Sequence, residues 1–271
     1  MAIEQRPLVM GIVNVTPDSF SDGGRFATLP AALAHARALI EAGADMLDIG
    51  GESTRPGAEP VAEAEELDRV APLIEAIRAE SPVPISVDTL KPAVARAAVA
   101  AGASVWNDVA ALTGPHAAET AAGLGCRVIL MHMQGEPRTM QGNPAYGDVV
   151  AEVSAFLLAR AEAAVAAGVK RDHIWLDPGL GFGKRLEHNL ALLAHLDRIV
   201  GLGYPVLLGA SRKRFIEHID RTASDPFDRL GGSLAAALRG AEAGVAAVRV
   251  HDVRETVQAV RVWRAIAAAR D

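Results

Sequence analysis

Two aspartates and an asparagine stand where short apolar runs of this sequence end. Asp88 closes the run PISVD, Asp177 closes HIWLD, and Asn107 is the penultimate residue of SVWND. Carboxylate oxygens can accept a paired N–H and NH₂ edge in bidentate fashion, while an amide both donates and accepts. If these side chains share one opening, they suit a flat heterocycle with adjacent N–H donors. The pattern predicts a binding site for such a ring.

A second group of residues suits an anion. Residues 211–215, SRKRF, read as the start of a short helix whose amino end carries three cations, and helix amino ends attract anions. Arg249 and His251 in VRVHD lie two residues apart, hence on one face of a strand, where they can hold a phosphate or diphosphate. Asn14 ends the first apolar run and is an oxygen ligand fit for Mg²⁺, which accompanies diphosphates through few protein contacts. We expect Lys213 to point into the same opening.

The glycine-rich segment DPGLGFGK, residues 177–184, fits neither of two common phosphate-binding motifs. Proline replaces the glycine that begins a P-loop, arginine follows the lysine instead of Ser or Thr, and G-x-G-x-x-G is not met. We expect Gly179, Gly181 and Gly183 to let the backbone approach a flat ligand.

Other residues near these motifs allow more than one interpretation. Asp48 could line the opening or support the loop that follows it, and His132 could be a base or a hydrogen-bonded histidine at the rim. Met131 is expected to pack against a ligand ring.

No nucleophile is recognisable in the sequence. It has no G-x-S-x-G motif, and its one cysteine, Cys126, is expected to be buried and inert. We therefore expect no covalent enzyme intermediate.

Alternating apolar runs and amphipathic segments must position these side chains. Continuous Val/Ile/Leu runs of about 4–8 residues are typical of strands buried on both faces. The eight runs read LVMGIVN, MLDIG, PISVD, SVWND, RVILMH, HIWLD, PVLLG and AVRVH. Predicted helices lie between and after them at 30–43, 61–80, 91–101, 117–124, 148–168, 186–201, 226–243 and 253–269. Eight strict βα units favour an α/β fold, a single (β/α)₈ TIM barrel over residues 1–271, with its active site at the carboxyl-terminal rim of the strands.

Composition excludes several classes of protein. The net charge is −6 and no basic run interleaved with aromatics is present, so nucleic acid is not the expected partner. No apolar stretch reaches the ~18–20 residues of a membrane span, and the first ten residues do not read as a signal peptide. A single cysteine indicates a reducing compartment, so we expect a cytoplasmic enzyme without membrane contact.

Taken in order, several segments resemble the dihydropteroate synthase family. They are MGIVNVTPDSFSDGG, DIGGESTRPGA, SVDT, ND, LMHMQGEPRTMQ, DPGLGFGK, GASRKRF and VRVHDV, and they span residue 10 to about 253. The resemblance implies a transferase of folate biosynthesis that joins p-aminobenzoate to 6-hydroxymethyl-7,8-dihydropterin diphosphate, giving 7,8-dihydropteroate and diphosphate. It also implies Mg²⁺ as cofactor and a homodimer.

The resemblance assigns roles to residues of this chain. The expected pterin-binding residues are Asp88, Asn107, Met131, Asp177, Phe182, Gly209 and Lys213. The expected diphosphate-binding residues are Asn14, Thr54, Arg55, Arg249 and His251, with Asn14 at the metal. The loops at 15–26 and 51–60 are expected to close over the substrates, through Asp18, Phe20, Ser53 and Pro56. The expected catalytic residues are Asp88, Lys213 and Arg249.

Two residues depart from the family pattern. Arg214 stands where many members carry Ser, and we expect it to help hold the p-aminobenzoate carboxylate. Glu217 stands where Gly is frequent, and we expect it to matter less.

The implied chemistry is an SN1-like displacement of diphosphate by a neutral arylamine, which needs positioning and electrostatics more than a general base.

Two other functions remain as alternatives to the synthase. A methyltetrahydrofolate–corrinoid methyltransferase would have no use for a diphosphate site, and a catalytically silent pterin-binding paralogue would have lost loop or anion-binding residues.

Overall fold

Eight parallel strands form the centre of the structure, as the apolar runs predict. The computed structural model describes residues 6–15, 29–53 and 57–269. The strands are Leu8–Asn14 (β1), Met46–Gly50 (β2), Ile85–Asp88 (β3), Val105–Asp108 (β4), Arg127–Met131 (β5), Ile174–Asp177 (β6), Leu207–Leu208 (β7) and Ala247–Val250 (β8). Each lies within its predicted run, because uninterrupted β-branched and aliphatic residues suit a strand covered on both faces.

The sheet closes on itself. Its hydrogen-bonded order is β6-β5-β4-β3-β2-β1-β8-β7, so β1 pairs with both β2 and β8. A parallel bridge between Leu176 and Val206 joins β6 to the residue before β7. β7 is shorter than the run PVLLG, since Pro205 at its start has no N–H to donate to a neighbouring strand. The closed sheet with helices between its strands confirms the predicted (β/α)₈ TIM barrel.

Helices follow the strands on the outside. The α-helices are Leu29–Glu41 (α1), Glu63–Glu80 (α2), Pro92–Ala100 (α3), Ala117–Leu124 (α4), Val149–Ala166 (α5), Leu186–Ala194 (α6), Leu196–Val200 (α7), Arg214–Ile219 (α8), Leu230–Ala243 (α9) and Val253–Ala268 (α10). Short 3₁₀ helices span Arg171–His173 and Pro226–Arg229. Gly244 ends α9 at φ 85°, a left-handed conformation that favours glycine. Among the residues described, none of the helices combines the length and the apolar composition needed to cross a bilayer.

Two predicted helices are divided in the structure. The segment 186–201 breaks at His195, where Arg239 donates hydrogen bonds to the carbonyls of Leu193 (3.1 Å) and Ala194 (3.0 Å). An arginine from α9 thus binds carbonyls near the end of α6, which explains why the break is tolerated. The segment 226–243 starts as a 3₁₀ turn capped by Asp225 and becomes α-helical at Leu230.

Two apolar layers hold the barrel together. A small cluster fills its interior, formed by Met10, Met46, Val105, Ile129, Trp175, Leu207 and Ala247. The larger cluster lies between the strands and the surrounding helices. Because the interior is filled by side chains, polar residues beyond the interior cluster face the rim at the carboxyl ends of the strands.

Candidate active site

Strand register aligns several predicted site residues at the rim. Asn14 of β1 is opposite Gly50, Gly50 is opposite Asp88, and Asp88 is opposite Asn107, so one row crosses four neighbouring strands. On the far side of the barrel, Met131 is opposite Asp177. The parallel register therefore brings together residues that are far apart in the chain.

An arginine between two aspartates forms the centre of the rim. Arg249 donates from Nε to Asp48 Oδ2 at 2.5 Å and from Nη2 to Asp88 Oδ2 at 2.8 Å. Asn107 Nδ2 also donates to Asp48 Oδ2, at 3.3 Å. Asp48, which the sequence could not assign to the opening or to loop support, thus joins the predicted residues Arg249 and Asn107. It orients both side chains.

Burial controls the charge of this network. Burial raises the pKa of Asp88 to about 7, although the Arg249 charge acts in the opposite direction. One carboxylate oxygen on each of Asp48 and Asp88 is buried without a hydrogen-bond partner among the described residues. Buried polar atoms without partners are uncommon in native proteins, and each is a place where a ligand donor can bind.

A second cluster surrounds Asp177. Its Oδ1 accepts a hydrogen bond from the Gly179 N–H at 2.7 Å, and burial raises its pKa. Lys213 donates to the carbonyl of Leu180, and its Nζ lies 4.7 Å from the centre of the Phe182 ring. Burial lowers the pKa of Lys213 to about 8, against the opposing charge of Asp177.

Gly209 leaves the space between these groups open. A Cβ there would lie 3.8 Å from both the Asp177 carboxylate and the Lys213 ammonium. The cluster therefore groups four residues that the resemblance assigned to the pterin slot: Asp177, Phe182, Gly209 and Lys213.

Two glycines of the glycine-rich segment have a structural role that the sequence analysis did not foresee. Gly179 has φ 67°, and a Cβ there would lie 1.9 Å from the carbonyl oxygen of His132. A Cβ on Gly183 would lie 2.3 Å from the carbonyl oxygen of Gln134. In both cases the close neighbour is the loop after β5, so these glycines allow two loops to touch.

Lys184, to which the sequence analysis gave no role, lies at this loop contact. It is 3% exposed and approaches His132 Nδ1 at 2.8 Å. Burial lowers its pKa to about 7, and burial together with the Lys184 charge lowers the pKa of His132 to about 3. A histidine with so low a pKa is a weak base near neutral pH. The geometry favours the second interpretation of His132, a hydrogen-bonded histidine at the rim.

The predicted anion-binding residues are only partly described. The Nδ1 atom of His251 and the Oγ atom of Ser211 are joined by a hydrogen bond of 3.0 Å. The backbone N–H of His251 donates to the same Ser211 oxygen. Ser211, which the sequence analysis did not single out, therefore fixes the ring of His251. Ser53 is half-buried at the end of a described range. The predicted residues Asp18, Phe20, Thr54, Arg55 and Pro56 lie outside the described residues, as does most of the loop 15–26.

The three basic residues after β7 differ in their surroundings. Arg212 pairs with Asp252, with its Nε 3.0 Å from Oδ2, and is not part of the opening. Lys213 points inward as expected. Arg214 is 73% exposed on the first turn of α8, 3.8 Å from Glu217, which also pairs with the buried Arg229 at 2.7 Å. Glu217 thus links the exposed arginine to a buried one.

The residues around Asn14 fit a magnesium ion that has few protein ligands. Among the described residues, no three His, Cys, Asp or Glu side chains are grouped to hold a metal. A Cβ on Gly50 would lie 3.5 Å from Asn14 Oδ1 and 3.7 Å from the Asp88 Cβ, so glycine leaves space between these two oxygen-bearing side chains. Mg²⁺ keeps several waters and takes one or two protein oxygens together with phosphate oxygens.

Comparison with known proteins places the chain in a defined family. Residues 10–251 match the family model of the pterin binding enzymes, and the chain belongs to that family. Its similar relatives are dihydropteroate synthases. That of Escherichia coli (strain K12) is 49% identical over 98% of this chain and 93% of its own length.

Solved structures agree with this assignment. The dihydropteroate synthase of Xanthomonas albilineans with 4-aminobenzoic acid superposes with a TM-score of 0.92 at 53% identity, covering 99% of this chain and 95% of that one. The same enzyme in complex with 7,8-dihydropteroate gives a TM-score of 0.88 at 50% identity, covering 99% and 96% of the two chains.

Proposed function

We propose that this chain is a transferase that condenses 6-hydroxymethyl-7,8-dihydropterin diphosphate with p-aminobenzoate. The products are 7,8-dihydropteroate and diphosphate, which is the activity of dihydropteroate synthase. The observation that carries the proposal is the grouping of Asp177, Lys213, Asp88 and Asn107 at one rim, in a chain nearly half identical to such enzymes over almost its full length.

We propose that the buried carboxylates bind the pterin ring. The pterin edge carries adjacent N–H and NH₂ donors, which match the two oxygens of a carboxylate. Asp177 is buried beside Lys213 and Phe182, and it has one oxygen already engaged by Gly179. Phe182 and Met131 offer apolar surface to the flat ring, while Asn107 and Asp88 supply polar contacts on the opposite strands.

The diphosphate end of the substrate is proposed to lie near Asn14, Arg249 and His251. Asn14 would hold Mg²⁺, which when bound neutralises charge on the departing diphosphate. Thr54 and Arg55 are proposed to contribute from the loop after β2. Arg249 is already shared between two carboxylates, so its net contribution to the field at the rim depends on their protonation.

The proposed reaction is a displacement with SN1-like character. The C–O bond between the pterin methylene carbon and the diphosphate breaks, its electron pair leaves with the diphosphate, and the electron-rich pterin stabilises the carbon left behind. The lone pair of the arylamine then forms the C–N bond, and the amine proton is lost afterwards. Since the arylamine is neutral, little proton transfer is needed first, which agrees with the low pKa of His132. Positioning and electrostatic stabilisation would supply the catalysis, with Asp88, Lys213 and Arg249 touching the substrate.

The acceptor is proposed to bind beside α8. Arg214 is the exposed cation there and can pair with the p-aminobenzoate carboxylate in bidentate fashion. Asp18, Phe20, Ser53 and Pro56 are proposed to complete the acceptor site.

The test is to incubate the protein with the pterin diphosphate, Mg²⁺ and p-aminobenzoate, and to measure diphosphate release and dihydropteroate formation. We expect both products in equal amounts and only when both substrates are present. A protein that binds the pterin but releases no diphosphate would be the silent pterin-binding paralogue and would contradict the proposal. Transfer of a methyl group from methyltetrahydrofolate would point to the corrinoid-dependent alternative.

We also propose that residues 1–271 act as one domain in a cytoplasmic homodimer. Two large apolar side chains are exposed near α8: Phe227 at 73% and Ile219 at 60%. Exposed apolar patches on a soluble protein often mark contacts with another chain. Sedimentation equilibrium should give twice the chain mass, and a Phe227→Asp variant should weaken that association.

A further inference from the structure

Lys184 is the buried lysine that the proposed reaction leaves unused. The chain has four lysines. Lys170 is exposed, whereas Lys184, which belongs to the loop after β6, is almost completely buried. Enclosing an ammonium group is costly unless nearby acceptors replace its water. The surroundings of Lys184 show which groups do so.

Four acceptors surround the Lys184 ammonium. Its Nζ lies 2.9 Å from the carbonyl oxygen of Gly179, 3.0 Å from that of Phe182, 3.3 Å from that of His132, and 2.8 Å from His132 Nδ1. An ammonium has three N–H donors and no lone pair, so it can satisfy three of these at once and share the fourth. An apolar side chain would leave the carbonyls facing one another without donors.

These acceptors come from two different loops. His132 follows β5, while Gly179 and Phe182 belong to the turn after β6. The two loops are in backbone contact at the glycines described above, which brings their carbonyl dipoles close together. Lys184 therefore links the two loops at the place where their carbonyl oxygens would otherwise repel one another.

The turn that Lys184 holds also carries the pterin slot. The N–H of Gly179 donates to Asp177 Oδ1, and the ring of Phe182 packs under the ammonium of Lys213. A shift of the Gly179 or Phe182 backbone would move the carboxylate and the ring that face the ligand. Lys184 itself lies behind the turn.

We propose that Lys184 is a positioning residue for the pterin site: by binding the carbonyls of Gly179 and Phe182 and the ring of His132, it fixes the turn that presents Asp177 and Phe182 to the substrate. The proposal rests on the proposed function for the identity of that ligand. Because an ammonium can only donate, His132 Nδ1 must accept, which places the single ring proton of the neutral histidine on Nε2.

The experiment compares Lys184→Met and Lys184→Ala with the control Lys170→Met. Lys184→Met keeps the length of the side chain and removes its donors, while the control makes the same change at an exposed site. Binding of a pterin analogue is measured by calorimetry, and KM for p-aminobenzoate is measured at saturating pterin diphosphate. Lys184→Ala is assayed with added propylammonium, which replaces the missing atoms and charge, and with 1-propanol, which lacks the charge.

We expect Lys184→Met to raise the Kd for the pterin analogue at least tenfold and to leave the KM for p-aminobenzoate within twofold of wild type. Lys170→Met should change neither. Propylammonium, unlike 1-propanol, should return at least part of the pterin affinity of Lys184→Ala. A folded Lys184→Met protein with pterin affinity within twofold of wild type would overturn the proposal. Equal effects of propylammonium and 1-propanol on folded Lys184→Ala would do so too.

A measurement on the wild-type protein covers the case in which neither variant folds. Histidine ¹⁵N NMR below pH 6, where Lys184 is charged and His132 is still neutral, with the His132 signal assigned from a His132→Gln variant, should show a ring protonated at Nε2. A proton on Nδ1 would exclude the hydrogen bond from Lys184 and refute the proposal. A wild-type protein that shows the expected ring but binds no pterin would refute the proposed function alone.

Discussion

Replacing Arg249 by methionine should lower the stability of the fold, because two buried carboxylates lose the cation that they share. Arg249 is the guanidinium shared by Asp48 and Asp88, which are 0% and 7% exposed. Without it, both carboxylates stay buried, and each already has one oxygen without a described partner. Removing one partner of a buried ion pair typically costs about 3–5 kcal/mol. We expect a loss of that size, a large part of a total stability of about 5–15 kcal/mol.

The loss should depend on pH in a defined direction. The pKa of Asp88 in the folded protein is raised to about 7, above the value of about 3.9 in an unfolded chain. A raised pKa stabilises the fold fully below the unfolded value, and this contribution disappears as pH rises through about 7. Arg249 opposes the raised pKa, so its removal should raise the pKa further. The difference between wild type and Arg249→Met should therefore be larger at pH 8 than at pH 5.5.

Urea unfolding followed by circular dichroism at both pH values measures this effect. With an m-value of ~3 kcal/mol/M, a loss of about 3–5 kcal/mol should lower the midpoint by roughly 1–1.7 M at pH 8. Arg254→Met, which removes an exposed arginine of α10, is the control and should change little. Adding Asp48→Asn to Arg249→Met should restore part of the stability but not the binding of the pterin diphosphate. A loss below ~1 kcal/mol, or one equal at both pH values, would show that the buried carboxylates do not depend on Arg249.

Three further substitutions test individual contacts at the rim. Asp177→Asn should weaken binding of a pterin analogue by about 10–100-fold in calorimetry, because an amide NH₂ would face the donors of the ring at a cost of about 1–3 kcal/mol; unchanged affinity would remove Asp177 from the site. Arg214→Ala should raise the KM for p-aminobenzoate severalfold and leave pterin diphosphate binding intact, and equal weakening of both would mean that the side chain is structural. Asn14→Ala should raise the Mg²⁺ concentration needed for half-maximal activity without changing the affinity for a pterin that lacks phosphates, whereas an unchanged Mg²⁺ requirement would place the metal elsewhere.

The barrel could be predicted because its signals are local. Each apolar run is buried on both faces, and each amphipathic segment has its own boundaries, as the glycine that ends α9 shows. Once the strands are known, parallel pairing alone brings Asp88, Asn107 and Asp177 to one rim. The division of a predicted helix at His195 could not be foreseen, since the arginine that binds the carbonyls there comes from α9.

The contacts within the rim depend on distances that only folding creates. Arg249 and Asp48 are 201 residues apart, and no local pattern shows that they pair. The glycines of DPGLGFGK could be recognised as special, but the backbone that they allow to approach belongs to the loop after β5. Lys184 belongs to the same motif, and the sequence shows its position but not its contacts. Its role depends on carbonyl groups, which every residue carries, so the sequence identifies which residues reach the rim while the tertiary structure decides which of them bind one another.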